Sequence, residues 1–242
     1  MPPIHRAPHW CQSALACITG GLLLLSNAAS AAPISYTDRA AFDTAVSGLG
    51  SSTLNFDSLA SGTTFATGTG AGGITFSYDL GGVQLSVTNG SAFGNSGPFS
   101  TTSGANFLGT DDFDMFQGGD QVGMHFAGVK AIGLYLLTVD PLFDGDFSLT
   151  VGSFAANLVA ANLQQILSDG TNVYFLGIVD TVASFTDATL TSAPGGNFLW
   201  NADDIVLASN ANQIPEPGSL ALISLALAGL ATTRFNRRKL PC

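Results

Sequence analysis

Short apolar runs separated by glycine-rich turns are the feature that most restricts the fold of this chain. From Leu54 onward, runs rich in Val, Ile, Phe, Thr and Leu alternate with clusters of Gly, Asn, Asp and Ser, a strand-and-turn pattern. The predicted strands cover residues 52–56, 73–78, 82–88, 120–126, 130–139, 146–151, 172–179, 183–190 and 204–208. Because βα units do not repeat, the pattern predicts an all-β fold, an antiparallel β-sandwich of jelly-roll type, with a barrel as the alternative.

Three segments carry a pattern that predicts how they are buried. In Gln121–Phe126, apolar residues alternate with others, which predicts a half-buried strand with His125 on its exposed face. Residues 132–137 are apolar throughout, which indicates burial on both faces. Residues 154–167 fit either a strand or a helix.

One short helix is predicted near the start of the mature protein. Thr37 is a candidate N-cap, and Asp38 would lie close to the positive end of the helix. Phe42 and Val46 are four residues apart and therefore share a face, which we expect to pack on the sheet.

The N-terminus has the three parts of a secretory signal peptide. Arg6 precedes an apolar run over residues 14–25, and small residues follow, with Ala29 and Ala31 as the cleavage site. The run is about a dozen residues, whereas a spanning helix needs roughly 20. We therefore predict a signal peptide over residues 1–32, with an uncleaved anchor as the alternative. A signal peptide implies the secretion translocon and signal peptidase as partners.

The predicted secreted domain, residues 33–210, is acidic and free of cysteine. Its two cations, Arg39 and Lys130, stand against sixteen aspartates, a formal charge of −14, and all three cysteines lie outside it. Phosphate binding needs clustered Lys and Arg, so nucleic acid is excluded as a partner. Disulfides, thiolate chemistry and cysteine-based zinc sites are excluded as well.

Aspartates in turns are the candidate metal ligands. They are Asp111, Asp112 and Asp114 in one turn, and Asp140, Asp144 and Asp146 in another. Closely spaced carboxylates in a glycine-containing turn can converge on calcium, although the EF-hand pattern is absent. Ordinary turns are the alternative, since Asp and Gly are common turn formers. Asp203 and Asp204 are interpreted as the turn that enters the last strand.

Catalytic signatures are missing from the sequence. His125 is the one histidine of the secreted domain, and neither a G-x-S-x-G elbow nor an H-E-x-x-H pair occurs, so we do not expect an enzyme. Several phenylalanines occupy predicted loops: Phe93, Phe99, Phe107, Phe113 and Phe116. Exposed, they could stack on sugar rings; folded inward, they would complete the core.

The C-terminal tail has three parts. Pro215, Glu216 and Pro217 end a linker over residues 211–218, and the prolines favour an extended, accessible chain there. The apolar run 219–233 predicts a short transmembrane helix of about 22 Å, against a hydrocarbon core of roughly 30 Å. Residues 234–242 form a basic tail, which the positive-inside rule places in the cytoplasm. Its cations are Arg234, Arg237, Arg238 and Lys239.

This arrangement of Pro-Glu-Pro, short hydrophobic helix and basic end resembles the PEP-CTERM sorting signal. The resemblance implies recognition by exosortase, a membrane-embedded cysteine protease, and release of the cargo to the surface or matrix of bacteria that make exopolysaccharide. Segments of the cargo are also similar to β-sandwich domains that carry such tails: Thr37–Phe42, Asn106–Gly109 and Phe126–Gly133, with Val173–Ile178 and Asp203–Ile205 resembling their closing strands.

These observations lead to three functional hypotheses. The first is an exported, non-catalytic surface or matrix protein, transiently anchored by its C-terminal helix and associated with exopolysaccharide or biofilm. The second is a carbohydrate-binding, lectin-like module, with or without a dependence on calcium. The third is a secreted polysaccharide hydrolase.

Overall fold

The computed structural model describes residues 31–90, 100–196 and 198–210. Sixteen strands, one α-helix and a short 3₁₀ helix make up the described regular structure. The helix α1 is Arg39–Val46, and the 3₁₀ helix is Ala160–Asn162. The first eight strands are β1 Ile34–Tyr36, β2 Gly50–Leu54, β3 Thr64–Phe65, β4 Gly70–Ala71, β5 Ile74–Tyr78, β6 Leu85–Thr88, β7 Phe107–Thr110 and β8 Phe116–Gln117. The remaining eight are β9 Gln121–Val129, β10 Ala131–Thr138, β11 Phe147–Val151, β12 Phe154–Asn157, β13 Gln165–Ile166, β14 Asn172–Val179, β15 Phe185–Ser192 and β16 Leu199–Ser209.

The described strands form two antiparallel sheets that pack face to face. The first sheet has the order β1-β14-β10-β16-β7-β6-β3, with β13 on β14, and with β2 and β8 on β16. The second sheet has the order β12-β11-β15-β9-β5-β4. Along the described strands, the chain crosses between the sheets eight times, from β3 to β4, β5 to β6, β8 to β9, β9 to β10, β10 to β11, β12 to β13, β14 to β15 and β15 to β16. The predicted all-β sandwich of jelly-roll type is confirmed.

Within the core between the sheets, three aromatic rings pack together near one end of the sandwich. Trp200 stacks on Phe116 with ring centroids 4.2 Å apart and meets Phe147 edge-on at 5.1 Å. All three side chains are fully buried. The indole N–H of Trp200 donates to the carbonyl of Gln117 (3.0 Å), so its polar atom is satisfied inside the core.

Helix α1 covers the outer face of the first sheet, which explains why β10 is apolar throughout. Phe42 and Val46 are buried, as predicted from their spacing, and Phe42 lies against Phe175 of β14 with centroids 5.2 Å apart. Seven of the eight residues of β10 are buried, and the predicted burial on both faces is confirmed.

The helix cap differs from the prediction by one residue. Asp38, rather than Thr37, is the N-cap, because its extended backbone lets its carboxylate accept the N–H of Ala41 (2.7 Å). Thr37 instead accepts a hydrogen bond from the side chain of Asn162 through its hydroxyl.

Each of the nine predicted strands is present; strand 172–179 has the predicted bounds, and the other eight have shifted ends. The ambiguous segment 154–167 contains β12, the 3₁₀ helix and β13, so it is mainly extended. The largest error concerns the last strand, which begins at Leu199 rather than at residue 204. Asp203 and Asp204 therefore lie inside this strand, and their interpretation as an entry turn was wrong.

Candidate functional site

The first aspartate cluster forms the turn between β7 and β8. The carboxylate of Asp111 accepts the backbone N–H of Gln84 (2.8 Å), and that of Asp112 accepts the N–H of Phe113 (2.8 Å). Asp114 has a φ of 62°, a left-handed conformation that aspartate tolerates better than most residues. Asp112 thus holds a backbone donor of its own turn, and Asp111 ties the turn to the residue that precedes β6.

The second cluster forms the turn between β10 and β11 in a similar way. The carboxylate of Asp144 accepts the N–H of Ala160 (2.7 Å), and that of Asp146 accepts the N–H of Phe143 (2.6 Å). The side chain of Asp140 is exposed to solvent.

The carboxylates of these turns are not gathered around one point. Across residues 31–90, 100–196 and 198–210, no three or more His, Cys, Asp or Glu side chains are grouped so that they could hold a metal ion. Calcium binding at these six aspartates stays a prediction.

The aromatic residues of the loops divide between core and solvent. Phe107 and Phe116 are fully buried, whereas 62% of Phe113 is exposed. Phe143, which the sequence analysis did not single out, is 76% exposed. Phe93 and Phe99 lie outside the described residues. Each of the two exposed rings stands in one of the acidic turns.

The two acidic turns lie at the same end of the sandwich. Trp200 of β16 pairs with Thr138, where β10 enters the second turn, and with Phe116, where the first turn ends. The turns that carry Phe143 and Phe113 therefore flank β16 on its two sides. We call this end, with residues 111–115 and 139–146, the loop end.

The first strand β1 begins, and the last strand β16 ends, at the opposite end of the sandwich. Ala131 pairs with both Val179 and Ala208, and Ile34 of β1 also pairs with Val179. The stretch Trp200–Ser209 covers nine residue steps, or about 30 Å at the usual strand rise. The chain therefore leaves the sandwich about 30 Å from the loop end.

Asp203 is the one functional candidate that the sequence analysis missed. It is fully buried on the outer face of the first sheet, in the middle of β16. Trp200, Ala202, Ile205 and Leu207 of the same strand belong to the core between the sheets. The spacing between Ala202 and Ile205 is three residues rather than two, because a β-bulge inserts Asp204, whose φ is 48°.

The bulge turns both carboxylates toward the loop over residues 100–106. The hydroxyl of Thr101 donates to Asp203, while those of Thr102 (2.8 Å) and Ser103 (2.9 Å) donate to Asp204. The backbone N–H of Asp204 donates to the other oxygen of Asp203 (2.7 Å). Hydroxyls have one hydrogen each, so three hydroxyl protons serve the two carboxylates.

Burial dominates the electrostatics of this pair. It raises the pKa of Asp203 from 3.8 to about 7, the bond from Thr101 opposes the shift, and the charge of Asp204 adds to it.

Asn201, two residues earlier in β16, donates to the carbonyl of Asp114 (2.6 Å). Its buried Oδ1 has no hydrogen-bond partner within the described part of the chain.

His125 lies on the exposed face of β9, as predicted. Its Nδ1 is 2.8 Å from the carboxylate of Asp187, and both side chains are more than half exposed. Hydrogen bonds from Thr186 and from His125 hold the pKa of Asp187 below its usual range. A single exposed histidine of this kind is typical of a solvated sheet face.

A shallow cleft of about 230 Å³ opens beside the first acidic turn. It is lined by Leu80, Val83, Thr110, Asp112, Met115, Gln117 and Asp120. Its volume is below the roughly 300–1,000 Å³ of typical small-molecule sites.

Both predicted processing segments fall mainly outside the described residues. Ala29 of the cleavage site and the whole tail, with Pro215, Glu216, Pro217 and the basic stop, lie outside them, whereas Ala31 is described and exposed. Within the described residues, no helix has the length and apolarity needed to cross a membrane.

The comparison with protein families identifies the tail. Residues 213–238 match the family model of the PEP-CTERM protein-sorting motif. This is a PEP-CTERM domain-containing protein. The motif implies export, a membrane-anchored sorting signal and exosortase as the processing partner. It covers only the tail and says nothing of the sandwich.

The chain is similar to a solved structure of a CBM29-2 mutant, which probes ligand recognition by family 29 carbohydrate-binding modules. The match covers 70% of this chain and 99% of that one, at 15% identity and a TM-score of 0.27, which is too low to support an argument about function. No curated protein matches this chain significantly.

Proposed function

We propose that this protein is an exported, non-catalytic cargo that exosortase delivers to the cell surface or extracellular matrix, where it associates with exopolysaccharide. The observation that carries the proposal is the sorting motif at residues 213–238, which begins four residues after the end of β16 at Ser209. Because the motif follows the last strand so closely, the sandwich itself is the unit that would be delivered. Its charge of −14 suits an aqueous medium that contains divalent cations.

The sorting function is tested by changing the motif while keeping the tail. Replacing Pro215 and Pro217 together with alanine leaves the apolar run and the basic end intact. We expect the variant to stay in the membrane fraction, whereas the wild-type chain reaches the surface or the medium. Asn212→Ala, just outside the matched residues, is the control. An unchanged distribution of the double variant would contradict the proposal.

A second candidate function, glycan binding, is favoured by the exposed rings of the loop end. Phe113 and Phe143 are exposed at the end of the sandwich away from the tail. Such rings can stack on sugars, and neighbouring carboxylates could accept hydrogen bonds from sugar hydroxyls. The six aspartates of the turns remain the candidate calcium ligands for this function.

Glycan binding is tested with an array, in calcium and in chelator. Phe113→Ala and Phe143→Ala should each weaken binding by about tenfold, since a buried Phe is worth about 1.5 kcal/mol or more. Val182→Ala, which removes an exposed apolar side chain near the opposite end, is the matched control. If no glycan binds in either condition, this candidate is rejected and the sorting proposal is unaffected.

A further inference from the structure

The loop over residues 100–106 is fastened to the first sheet at three places. Ser100 donates its N–H to the hydroxyl of Thr171 (3.3 Å) at one end. At the other end, Asp57 accepts the N–H groups of Ala105 (2.8 Å) and Asn106 (3.1 Å). Within the described part of the chain, the hydrogen bonds that hold the middle of the loop are the hydroxyl bonds to the bulge of β16.

The middle attachment differs from the two ends because it rests on two consecutive carboxylates without a cation. The ion pairs of the described residues are Arg39–Asp43 and His125–Asp187, so neither Asp203 nor Asp204 has one. A buried carboxylate that has only hydroxyl and N–H donors pays a desolvation cost when it is ionised. A second negative charge on the next residue increases that cost.

The groups that face the carboxylates from neighbouring elements do not supply the missing positive charge. Tyr135 lies directly opposite Asp203 on β10, and its pKa is raised by burial, lowered by Arg39 and raised by Asp204. The Arg39 guanidinium of α1 lies 5.4 Å above the Tyr135 ring and is bonded to Asp43 (2.8 Å). Residues 91–106 contain no Asp, Glu, His, Lys, Arg, Tyr or Cys.

We propose that Thr101, Thr102, Ser103, Asp203 and Asp204 form a proton-sensitive latch, which closes the loop when the carboxylate pair shares a proton and opens it when both are ionised. In the closed state a proton on Asp203 leaves a single negative charge on the two side chains, which the hydroxyls of Thr101, Thr102 and Ser103 contact. In the ionised state the repulsion is relieved when the loop moves away and water reaches Asp203. The loop would then expose the outer face of β16 that it now covers.

The protonation of Asp203 sets both the direction and the size of the pH dependence of loop opening. The closed state binds a proton on Asp203 up to about pH 7, whereas an open, hydrated Asp203 would release it near its ordinary pKa of 3.8. The opening equilibrium constant should therefore rise about tenfold for each pH unit between about 4 and 7 and become constant above pH 7. From pH 5 to pH 7 the increase is about 100-fold.

Hydrogen exchange on the full chain in a mild detergent tests this directly. Exchange of residues 100–106 and of the Asp204 amide is followed from pH 5 to pH 8 with a chelator present, and corrected for the intrinsic rate. We expect the opening constant to rise about 100-fold between pH 5 and pH 7 in the wild-type chain, and to be independent of pH in Asp203→Asn. Asp79→Asn, at an exposed aspartate that also accepts a backbone N–H, from Gly81, should behave like wild type.

Two results would overturn the latch. One is an opening constant for residues 100–106 that does not change with pH in the wild-type chain. The other is an opening constant of residues 100–106 that equals that of β10 at every pH, which would mean that the loop opens only when the whole domain unfolds. Should Asp203→Asn fail to fold, the ¹³C carboxyl signals of the wild-type chain decide: one aspartate must titrate near pH 7, and titration of all sixteen below pH 5 rejects the proposal.

Discussion

The packing of helix α1 on the first sheet provides the most direct test of the fold. Gly133 and Gly177 are directly paired on β10 and β14, and the ring of Phe42 lies over their bare backbone. A Cβ on residue 177 would be 2.6 Å from Cδ2 of Phe42 and 2.9 Å from Cε1 of Phe175. Ordinary contact begins at 3.4 Å, so Gly177→Ala must displace at least one of the two rings.

The expected cost can be bounded in two ways. Inserting a methyl group into a packed core costs about 1–3 kcal/mol, through shifted rotamers and backbone. If the ring of Phe42 is expelled instead, the loss of its burial costs about 1.5–3 kcal/mol. Both routes predict that Gly177→Ala lowers the free energy of unfolding by about 1–3 kcal/mol, or the melting temperature by about 2–12 °C.

The assay is thermal and urea unfolding of the full chain beside a matched control. Gly128→Ala, on β9, also replaces a strand glycine, but its Cβ would meet nothing nearer than Cβ of Ser184 at 3.7 Å. Both substitutions reduce the entropy of the unfolded chain by similar amounts, so their difference reports the contact with the rings. In a Phe42→Ala background the cost of Gly177→Ala should fall markedly. Equal stabilities of Gly177→Ala and Gly128→Ala would refute the reasoning.

Three further predictions concern stability. The pKa of Asp203 is about 7 in the folded state and 3.8 in the unfolded state, so its stabilising contribution is complete below pH 4 and is lost as the pH rises through 7. Urea unfolding should therefore show a free energy of unfolding that is about 3 kcal/mol lower at pH 7 than at pH 5, a loss that Asp203→Asn lacks. Trp200→Ala should lower the free energy of unfolding by about 3–5 kcal/mol, whereas Phe143→Ala, at an exposed position, should change it by less than about 0.5 kcal/mol. Asp38→Ala should cost about 1 kcal/mol in thermal unfolding because the N-cap is lost, and Asp38→Asn, which keeps a capping oxygen, should cost only a few tenths. Equal costs for the two Asp38 variants would exclude the cap.

The sequence was sufficient for the sandwich because its strands are amphipathic or wholly apolar. The alternation of Gln121–Phe126 correctly places His125 outside and Val122, Met124 and Phe126 inside. The two-residue strands β3, β4, β8 and β13 could not be predicted, because such short pairings depend on the position of a partner strand. In a Gly-rich stretch such as 61–73, only tertiary contacts decide which residues pair.

The bulge in β16 explains why Asp203 was missed. Two adjacent aspartates read as a turn, since Asp favours turns and is depleted in strands. The signal that could have revealed the strand is the apolar spacing on either side, Trp200 and Ala202 and then Ile205 and Leu207, which is two periods of two separated by one extra residue. An alternation of apolar residues that resumes after one extra residue is typical of a β-bulge, and bulges often redirect functional side chains.

The positions of the chain ends connect the sandwich to its sorting signal. The chain leaves β16 at the end of the sandwich where β1 begins, about 30 Å from the turns that carry Phe113 and Phe143. If exosortase processing holds the protein by its tail, as proposed, the sandwich can present these turns without obstruction by its own anchor. The loop over residues 100–106 belongs to a third region, the outer face of the first sheet, so its opening would alter neither the anchored end nor the loop end. Sorting, surface recognition and the response to pH can therefore be separated by substitutions in three different parts of the chain.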